Sequence, residues 1–319
     1  MKKGIVISAL ILIFVGLTLF AWAFAASGFD ISKLGTVECR TRTIEVSEDF
    51  SDIEIDAREA DVYIEPSQDG KTSVAVVEQE KAPYSVSVEG GALRITREDK
   101  REWIDYIGIN TQTMTIKLYL PEGEYGGLTV DSLAGHVNVD NAFRFGAITA
   151  NTSAGGVSCA ASSKGAIRIK TGTGAVKLEG LSAGSVDISV STGGVTISSV
   201  ECAGELGIKV STGRATLQDV TCQSLVSYGS TGDVRLKNVI AEKKLEIKRS
   251  TGSVFFDACD AGSISIETST GSVKGTLLTE KTFIAKTSTG SVSVPDTATG
   301  GKCEITTTTG SIEIKLAGD

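Results

Sequence analysis

The amino-acid sequence predicts an all-β protein in which a parallel β-solenoid of about ten coils follows an irregular β cap and one transmembrane helix. A Ser-Thr-Gly-x-Val signature recurs through the C-terminal part of the chain, with its glycine at every nineteenth or twentieth residue. Two short alternations of apolar and polar residues lie within each period, which is the pattern of strands with one buried face. A continuous apolar run near the N-terminus supplies the helix.

Residues 1–27 form the predicted membrane segment. Lys2 and Lys3 precede an apolar run from Ile5 to Ala26, and a helix of this length spans about 33 Å, enough for the hydrocarbon core of a bilayer. The lysines favour a cytoplasmic N-terminus and an extracytoplasmic body, with membrane lipid as the partner of the helix. A cleaved signal peptide with a secreted body is the alternative, because Ala21-Trp22-Ala23 and Ala23-Phe24-Ala25 both fit a small-x-small cleavage site.

Residues 28–36 are predicted to be a linker, and residues 37–130 a β-rich cap without a clean period. The cap is expected to pair with the first coils and cover their edge, because the end of a solenoid needs a cap. One charged stretch, Arg97 to Gln112, interrupts the strand pattern and contains Trp103 and Tyr106. Loops that interrupt a regular scaffold often carry contacts. These two aromatic residues are therefore candidates for a contact loop, and packing over the edge of the cap is the alternative.

Residues 131–319 form the predicted solenoid, and its glycines are expected to turn tight corners with a positive φ angle, which glycine adopts without strain. Apolar residues at positions +2 and +4 after each glycine, and at −7 and −5 before it, predict two strands and two corners per coil. Stacked coils pair in parallel about 4.8 Å apart, so ten coils give a rod of about 48 Å. Right-handed winding is the expected default. The repeat glycines are Gly135, Gly155, Gly174, Gly193, Gly213, Gly232, Gly252, Gly271, Gly290 and Gly310.

A column of threonines directly precedes these glycines. Counted from the inward positions at −7 and −5, the threonines are expected to face inward or to sit in the corner, where stacked hydroxyls would bond to one another or to the backbone. This orientation argues against an ice-binding array, which displays its threonines outward. The column comprises Thr173, Thr192, Thr212, Thr231, Thr251, Thr270, Thr289 and Thr309.

Cys202 and Cys222 lie at the same position of adjacent coils, nine residues after the glycine. Equivalent positions are about 4.8 Å apart, within the Cα range of a disulfide bond. A Cys202–Cys222 disulfide and a reduced, stacked pair both remain open.

At the C-terminus a single strand, Ser311 to Leu316, follows the last repeat glycine without a cap. Such an uncovered edge favours edge-to-edge self-association, which charged residues would restrain.

The distribution of chemical groups indicates a protein that is not an enzyme. In the outward columns at +3 and +5, Asp140, Glu179 and Asp257 are separated by intervening coils, so no carboxylate pair forms there. The only histidine, His136, is expected to be an exposed corner residue. The sequence contains no metal-binding, phosphate-binding or dinucleotide-binding motif, so no catalytic residue, cofactor or metal ligand is assigned. A net charge of −8 argues against a nucleic-acid partner.

The chain resembles the DUF4097 family of bacterial envelope proteins, whose members carry the label "putative adhesin". The resemblance covers residues 37–319. It rests on the segments 116–123 (Ile-Lys-Leu-Tyr-Leu-Pro-Glu-Gly) and 128–135 (Leu-Thr-Val-Asp-Ser-Leu-Ala-Gly), and on the Ser-Thr-Gly-x-Val repeats after them. It implies an extracytoplasmic β-solenoid, frequently behind a transmembrane segment, and some members look like envelope-stress components. It implies no catalytic residues.

Three functions follow in order of preference. The first is a membrane-anchored scaffold that contacts an envelope protein or a glycan, with adhesion as one version. The second is a sensory or regulatory partner of other envelope proteins, which docks through the C-terminal edge or the Trp103 loop. The third is a carbohydrate-active enzyme, which would need a carboxylate pair on one face, assembled with help from the N-terminal region.

Overall fold

A computed structural model of the protein describes residues 2–26, 28–29, 39–103 and 112–318. One helix, α1 (Lys2–Ala26), precedes an all-β body. The strands are β1 (Cys39–Val46), β2 (Asp52–Arg58), β3 (Asp61–Pro66), β4 (Thr72–Gln79), β5 (Tyr84–Glu89), β6 (Ala92–Arg97), β7 (Thr115–Leu120), β8 (Gly123–Ala134), β9 (Val137–Val139), β10 (Phe143–Ala154), β11 (Val157–Cys159), β12 (Ser162–Thr173), β13 (Val176–Thr192), β14 (Val195–Thr212), β15 (Ala215–Thr231), β16 (Val234–Thr251), β17 (Val254–Thr270), β18 (Val273–Leu277), β19 (Lys281–Thr289), β20 (Val292–Ser293), β21 (Gly301–Thr309) and β22 (Ile312–Leu316).

The repeats form the predicted parallel β-solenoid. Each strand pairs in parallel with the equivalent strand of the neighbouring coil, so that Ile148 is opposite both Leu128 and Ile167. The core is a column between the strands. Its walls are the apolar residues at +2 and +4, such as Val195 and Ile197, and those at −7 and −5, which are buried except in the outermost coil, that of Gly290. The period-two alternation therefore predicted the inward positions correctly.

Each coil bends three times, where two corners were expected. Besides the corner glycine, the residue at +6 has a positive φ of 50–65° in five successive coils, and the strand register shifts once more before position −7. The residues at +6 are Gly180, Ser199, Asp219, Asn238 and Ala258. Their identities vary, and Asn, Asp and Ser tolerate the left-handed region because their side chains can bond locally. No constant residue type marked this bend in the sequence.

The corner glycines are required for two reasons. Their φ angles of 129–154° lie in a region that residues with a side chain rarely adopt. The backbones of successive corners also approach very closely: a Cβ on Gly232 would lie 2.0 Å from the carbonyl oxygen of Gly213. The positive φ predicted from the sequence is thus confirmed, and the close stacking of the corners is an additional constraint.

Side-chain hydrogen bonds connect successive coils beside several of the corners. At position −3 of four coils a threonine donates to the carbonyl of a neighbouring corner glycine, as Thr171 Oγ1 does to Gly155 at 3.0 Å. At position +1 a side chain accepts from the backbone N–H of the next coil. Ser272 N donates to Ser253 Oγ at 3.2 Å, and Ser311 N donates to Ser272 Oγ at 3.2 Å. The serine that follows the glycine in the signature is explained by this ladder.

The threonine column at −1 is exposed, which corrects the expectation that it faces inward. Thr192, Thr212 and Thr231 are exposed, together with the serines that precede them. The alternation that places −7 and −5 inside ends at −3, where the chain begins to bend toward the corner. Positions −2 and −1 therefore both point outward, although the Cα atoms of successive threonines remain in register.

The last coils are not stacked in the order of the sequence. Strand β21 pairs with β17 on one side and with β19 on the other, and β22 lies between β18 and β20. The coil of Gly310 is therefore inserted between the coils of Gly271 and Gly290. The exposed edge is formed by β19 and β20, and the segment Ser311 to Leu316 that was expected to be the edge lies inside the stack.

Pro295 gives a physical reason for this order. It follows β20 in the coil of Gly290, and proline has no N–H to donate to a ladder, so it is tolerated at an edge. The coil of Gly310 has longer regular strands and can pair on both sides. An ion pair also links the outer coil to β17. Lys281 of β19 is 4% exposed, and its Nζ lies 2.6 Å from Asp260 Oδ1 of β17, across the inserted level.

The N-terminal part continues the stack and then closes it. β2 pairs in parallel with β8 and β6, and β3 with β9 and β7, which adds two levels before the first corner glycine. Beyond them β1, β4 and β5 run antiparallel. The carboxylate of Glu78 is fully buried there. It pairs with Arg40 at 3.0 Å and Arg42 at 3.2 Å, and it accepts from Tyr84 N.

Arg249 is a buried charge in the middle of the rod. It occupies an inward position at −3, is 4% exposed and lies over Gly229, whose missing side chain leaves the room for it. Its Nη2 donates to Ser227 Oγ at 2.9 Å and its Nη1 to Lys248 O at 3.3 Å, but its Nε has no partner among the described residues. Burial lowers the pKa of the guanidinium to about 10.

Cys202 and Cys222 face each other in register on β14 and β15, and each is 4% exposed. Both are thiols in the structure, and the disulfide between them stays a prediction. Burial raises the pKa of Cys159, Cys222 and Cys303 to about 12 and that of Cys259 to about 11. A thiol reacts as its thiolate, so these side chains are protected from alkylation in two ways: reagents cannot reach them, and few of them ionise.

The first prediction concerns the corner. Gly232→Ala would place a methyl group against the Gly213 carbonyl at a positive φ, and we expect the free energy of unfolding to fall by about 2 kcal/mol or more. The control is Gly194→Ala, whose Cβ would meet nothing closer than 3.5 Å. Urea unfolding of the detergent-solubilised chain, followed by circular dichroism, measures both variants. Equal effects of the two substitutions would contradict the steric argument.

The second prediction concerns Arg249. Arg249→Met keeps an unbranched, flexible side chain but removes a buried charge without an anionic partner among the described residues, so we expect stability to rise by about 1–4 kcal/mol. Arg168→Met, on the exposed face, should change stability by less than about 0.5 kcal/mol. The same unfolding assay reports both. A large loss of stability at Arg249→Met would mean that its hydrogen bonds outweigh the cost of burying it.

The third prediction concerns the thiols. With the protein folded, we expect a small alkylating reagent to modify Cys39 first, because it is the one cysteine among the described residues that is not buried. The protein is then denatured and alkylated without reductant, and the adducts are counted by mass spectrometry to test for the Cys202–Cys222 disulfide. Four adducts, which is six thiols less two, would support the Cys202–Cys222 disulfide, and six would exclude it.

Candidate functional site

Trp103 is an exposed residue of the predicted contact loop. Its side chain is 75% exposed and does not pack over the edge of the cap. Tyr106, the other aromatic residue of the loop, lies outside the described residues. The contact role of this loop stays a prediction.

His136 is an exposed corner residue, as expected. Its backbone N–H donates to Asp61 Oδ1 at 2.7 Å, and its Nδ1 accepts from Gly156 N at 3.1 Å. The imidazole thereby occupies the same place in the inter-coil ladder that serine occupies further along the rod. This arrangement accounts for the histidine without a catalytic role.

A carboxylate pair does lie on one face, in a column that sequence reasoning did not consider. Position −4 points outward just before the corner, and there Asp131 of β8 is directly opposite Asp56 of β2. Asn151 and Lys170 continue the same column on β10 and β12. Neighbouring strands are about 4.8 Å apart, so these four side chains form a continuous row. Asp56 belongs to the aperiodic cap, and its register with the repeat could not be read from the spacing of the glycines.

These residues line an open cleft of about 730 Å³, here called the Asp56–Asp131 cleft. Arg58, Leu133 and serines of the next coils complete its walls. A break in the register of β2 between Asp56 and Arg58, with Arg58 at φ 53°, brings Arg58 beside Ser132. Bulges of this kind re-aim side chains and are common next to functional sites.

The polar groups of the cleft are already matched in charge and in hydrogen bonds. Arg58 Nε lies 3.2 Å from Asp56 Oδ2, and Asn151 Nδ2 donates to Asp131 Oδ1 at 2.9 Å. Ser132 Oγ donates to the Arg58 carbonyl at 2.9 Å, which fixes the bulge. Each carboxylate is thus held by a donor on one side and keeps further acceptor capacity, since a carboxylate can accept about four hydrogen bonds.

A second groove, of about 500 Å³, follows another edge of the rod. It is open because small residues such as Ala183 and Gly184 line its floor, with the Cys202–Cys222 pair beneath. Lys164 stands at one end and pairs with Glu124 at 2.6 Å. Nothing in this groove groups donors and acceptors as densely as the Asp56–Asp131 cleft does.

The third surface is the terminal edge formed by β19 and β20. Leu278, Ile284 and Val292 are 44%, 38% and 44% exposed there, and the outer side of β19 has no strand partner among the described residues. Lys286 and Pro295 restrain pairing with another chain, in the way that natural edges usually do.

In the part of the chain that the structure describes, no group of three or more histidine, cysteine or carboxylate side chains is placed to hold a metal ion. The Asp56–Asp131 cleft offers two carboxylates and an amide, of which one carboxylate is paired with Arg58. Its net charge is balanced by Arg58 and Lys170, whereas a divalent-cation site relies on an excess of oxygen ligands.

Solved structures with similar folds come from bacteria. A protein described as a putative adhesin from Parabacteroides distasonis is 15% identical, with a TM-score of 0.49, over 88% of this chain and 98% of that one. A protein described as a putative adhesin from Bacteroides fragilis is 15% identical, with a TM-score of 0.32, over 87% and 97%. One described as a putative lipid binding protein, also from Parabacteroides distasonis, is 17% identical, with a TM-score of 0.31, over 76% and 95%.

These similarities are too distant to assign an activity to this chain. No curated protein shows a significant match to the sequence. The family comparison is more informative, because two overlapping matches cover residues 50–213 and 201–319. They include both cap levels that pair in parallel with the repeats, all ten corner glycines and the inserted coil. The chain therefore belongs to the DUF4097 family, described as Toastrack.

Proposed function

We propose that the protein is a membrane-anchored, extracytoplasmic scaffold that presents the side of its rod and its terminal edge to an envelope protein or a glycan, without catalysis. The observation that carries this proposal is the combination of one apolar N-terminal helix with a body built mainly of stacked coils. Such a body is a long, regular surface rather than an enclosed pocket. Adhesion is one version of this role.

The helix supports the anchoring. The segment Gly4–Ala26 is long and apolar enough to cross a membrane, and its described side chains are exposed rather than packed against the body. A signal sequence would meet the same criteria. Lys2 and Lys3 favour a cytoplasmic start, which sends the rod to the outside.

A second candidate function, regulation of another envelope protein, is favoured by the terminal edge. Apolar side chains that are exposed together usually mark an interaction surface. Ile284 of β19 and Val292 of β20 are exposed in the outermost coil, Leu278 before β19 is exposed as well, and the outer side of β19 has no strand partner among the described residues. Strand addition by a partner, or by a second copy of the chain, would use the free backbone groups of β19.

The fourth prediction tests the topology. Thr251→Cys places an exposed thiol on the rod, and Lys3→Cys places one at the N-terminal end of the helix, before its apolar run. In intact cells, a membrane-impermeant maleimide should label the first variant and not the second, with the unsubstituted chain as the background. Labelling at Lys3→Cys without labelling at Thr251→Cys would overturn an extracytoplasmic body. If the mature chain lacked residue 3, the helix would be a cleaved signal peptide and the body would be secreted rather than anchored.

Photocrosslinking in the same cells then identifies the molecule that the protein contacts. A crosslinker at Trp103 or Ile284 reports on the loop and the edge, and one at Thr251 serves as the matched site on the regular face. Capture of one envelope protein at the edge alone would favour regulation. Capture of glycan along the side of the rod would favour adhesion.

A further inference from the structure

We propose that the Asp56–Asp131 cleft binds a neutral glycan strand, laid along the rod across successive coils. The inference rests on the proposed function and gives it a ligand class and a place. It is carried by a row of polar side chains that the cap and the first coils build together.

The dimensions of the cleft suit a short oligosaccharide. It extends from Asp56 of β2 past β8, β10 and β12 to Ser189 of β13, which is four strand spacings, or about 19 Å. Its volume of about 730 Å³ lies within the range of ordinary ligand pockets. Because one pyranose unit is similar in length to one strand spacing, successive sugars would meet equivalent positions on successive strands.

The cleft presents both hydrogen-bond acceptors and donors, which matches the chemistry of a polyol. Asp56 and Asp131 accept, Lys170 donates, the amide of Asn151 does both, and the hydroxyls of Ser153 and Ser189 do either. Each sugar hydroxyl is likewise one donor and two acceptors. A surface that offers both kinds of group in a row is therefore complementary to vicinal hydroxyls at every step.

Charge distinguishes a neutral ligand from the alternatives. Two carboxylates are balanced by one guanidinium and one ammonium, so the cleft attracts neither a polyanion, which needs a cluster of basic residues, nor a free cation. Leu133 adds an apolar surface, and it is 50% exposed in the midst of polar groups. The C–H faces of a pyranose ring would cover it and remove it from water.

Binding rather than hydrolysis fits the pair of carboxylates. A glycosidase needs one carboxylic acid free to give a proton and a second carboxylate free to act on the sugar or on water. Here Asp56 is held by Arg58 and Asp131 by Asn151. The bound oligosaccharide is therefore expected to be recovered intact.

The fifth prediction is a binding experiment on the full chain in detergent or nanodiscs. The probes are cellotetraose, chitotetraose, maltotetraose and mannotetraose, followed by saturation-transfer NMR and calorimetry. We expect saturable binding of at least one probe, and a loss of about tenfold or more in affinity for Asp131→Asn, because hydrogen bonds to a charged group are the strong ones. Lys170→Met, two strands further along the row on β12, should weaken binding of the same probe.

The matched control is Glu267→Gln, which removes a carboxylate from the same −4 column at the far end of the rod, and it should bind as the unsubstituted chain does. Circular dichroism confirms that each variant is folded. Absence of saturable binding to all four probes, or equal affinity of Asp131→Asn and the unsubstituted chain, would overturn the proposal. Neither outcome changes the maleimide labelling pattern, so the glycan site and the anchored scaffold can fail independently.

Discussion

The rest of the structure depends on the close approach of backbones at the glycine corners. The carbonyl of one corner lies where the Cβ of the next would be, which locks successive coils into one register. That register aligns the hydroxyls at −3 and +1 with their backbone partners and stacks the apolar positions into one column. A residue with a side chain at one corner would disturb all of these at once, because parallel strands are spaced evenly and no slack is available.

Much of the fold was predictable because it repeats. The period gave the coil, the alternation gave the inward positions, and the glycines gave one corner. The exposed threonines were not predictable by extending the alternation, since the chain bends after −3. The order of the last two coils was hidden as well, because the coils of Gly290 and Gly310 carry the same signature, and only Pro295, which is tolerated at an edge, hints at which of them lies outside.

The candidate site was harder to predict than the fold, for a physical reason. A periodic sequence specifies neighbours within the repeat, but Asp56 lies in a segment without a period and meets Asp131 only through the long-range pairing of β2 with β8. The bulge at Arg58 has no sequence signature either. Part of the candidate site thus lies where the regular repeat meets the irregular cap, and the pairing of Asp56 with Asp131 cannot be predicted from the repeat alone.

The inserted coil has a consequence for how the rod is completed. A solenoid whose coils follow chain order can grow from one end as the chain emerges, each coil adding to a finished surface. Here the slot for Gly301–Thr309 has one wall made by β17 and one by β19, so the penultimate layer is filled by residues that come later in the chain than the outermost coil. The coil of Gly290 therefore reaches its final neighbours only once the coil of Gly310 is in place, and assembly of this end cannot follow the order of the chain.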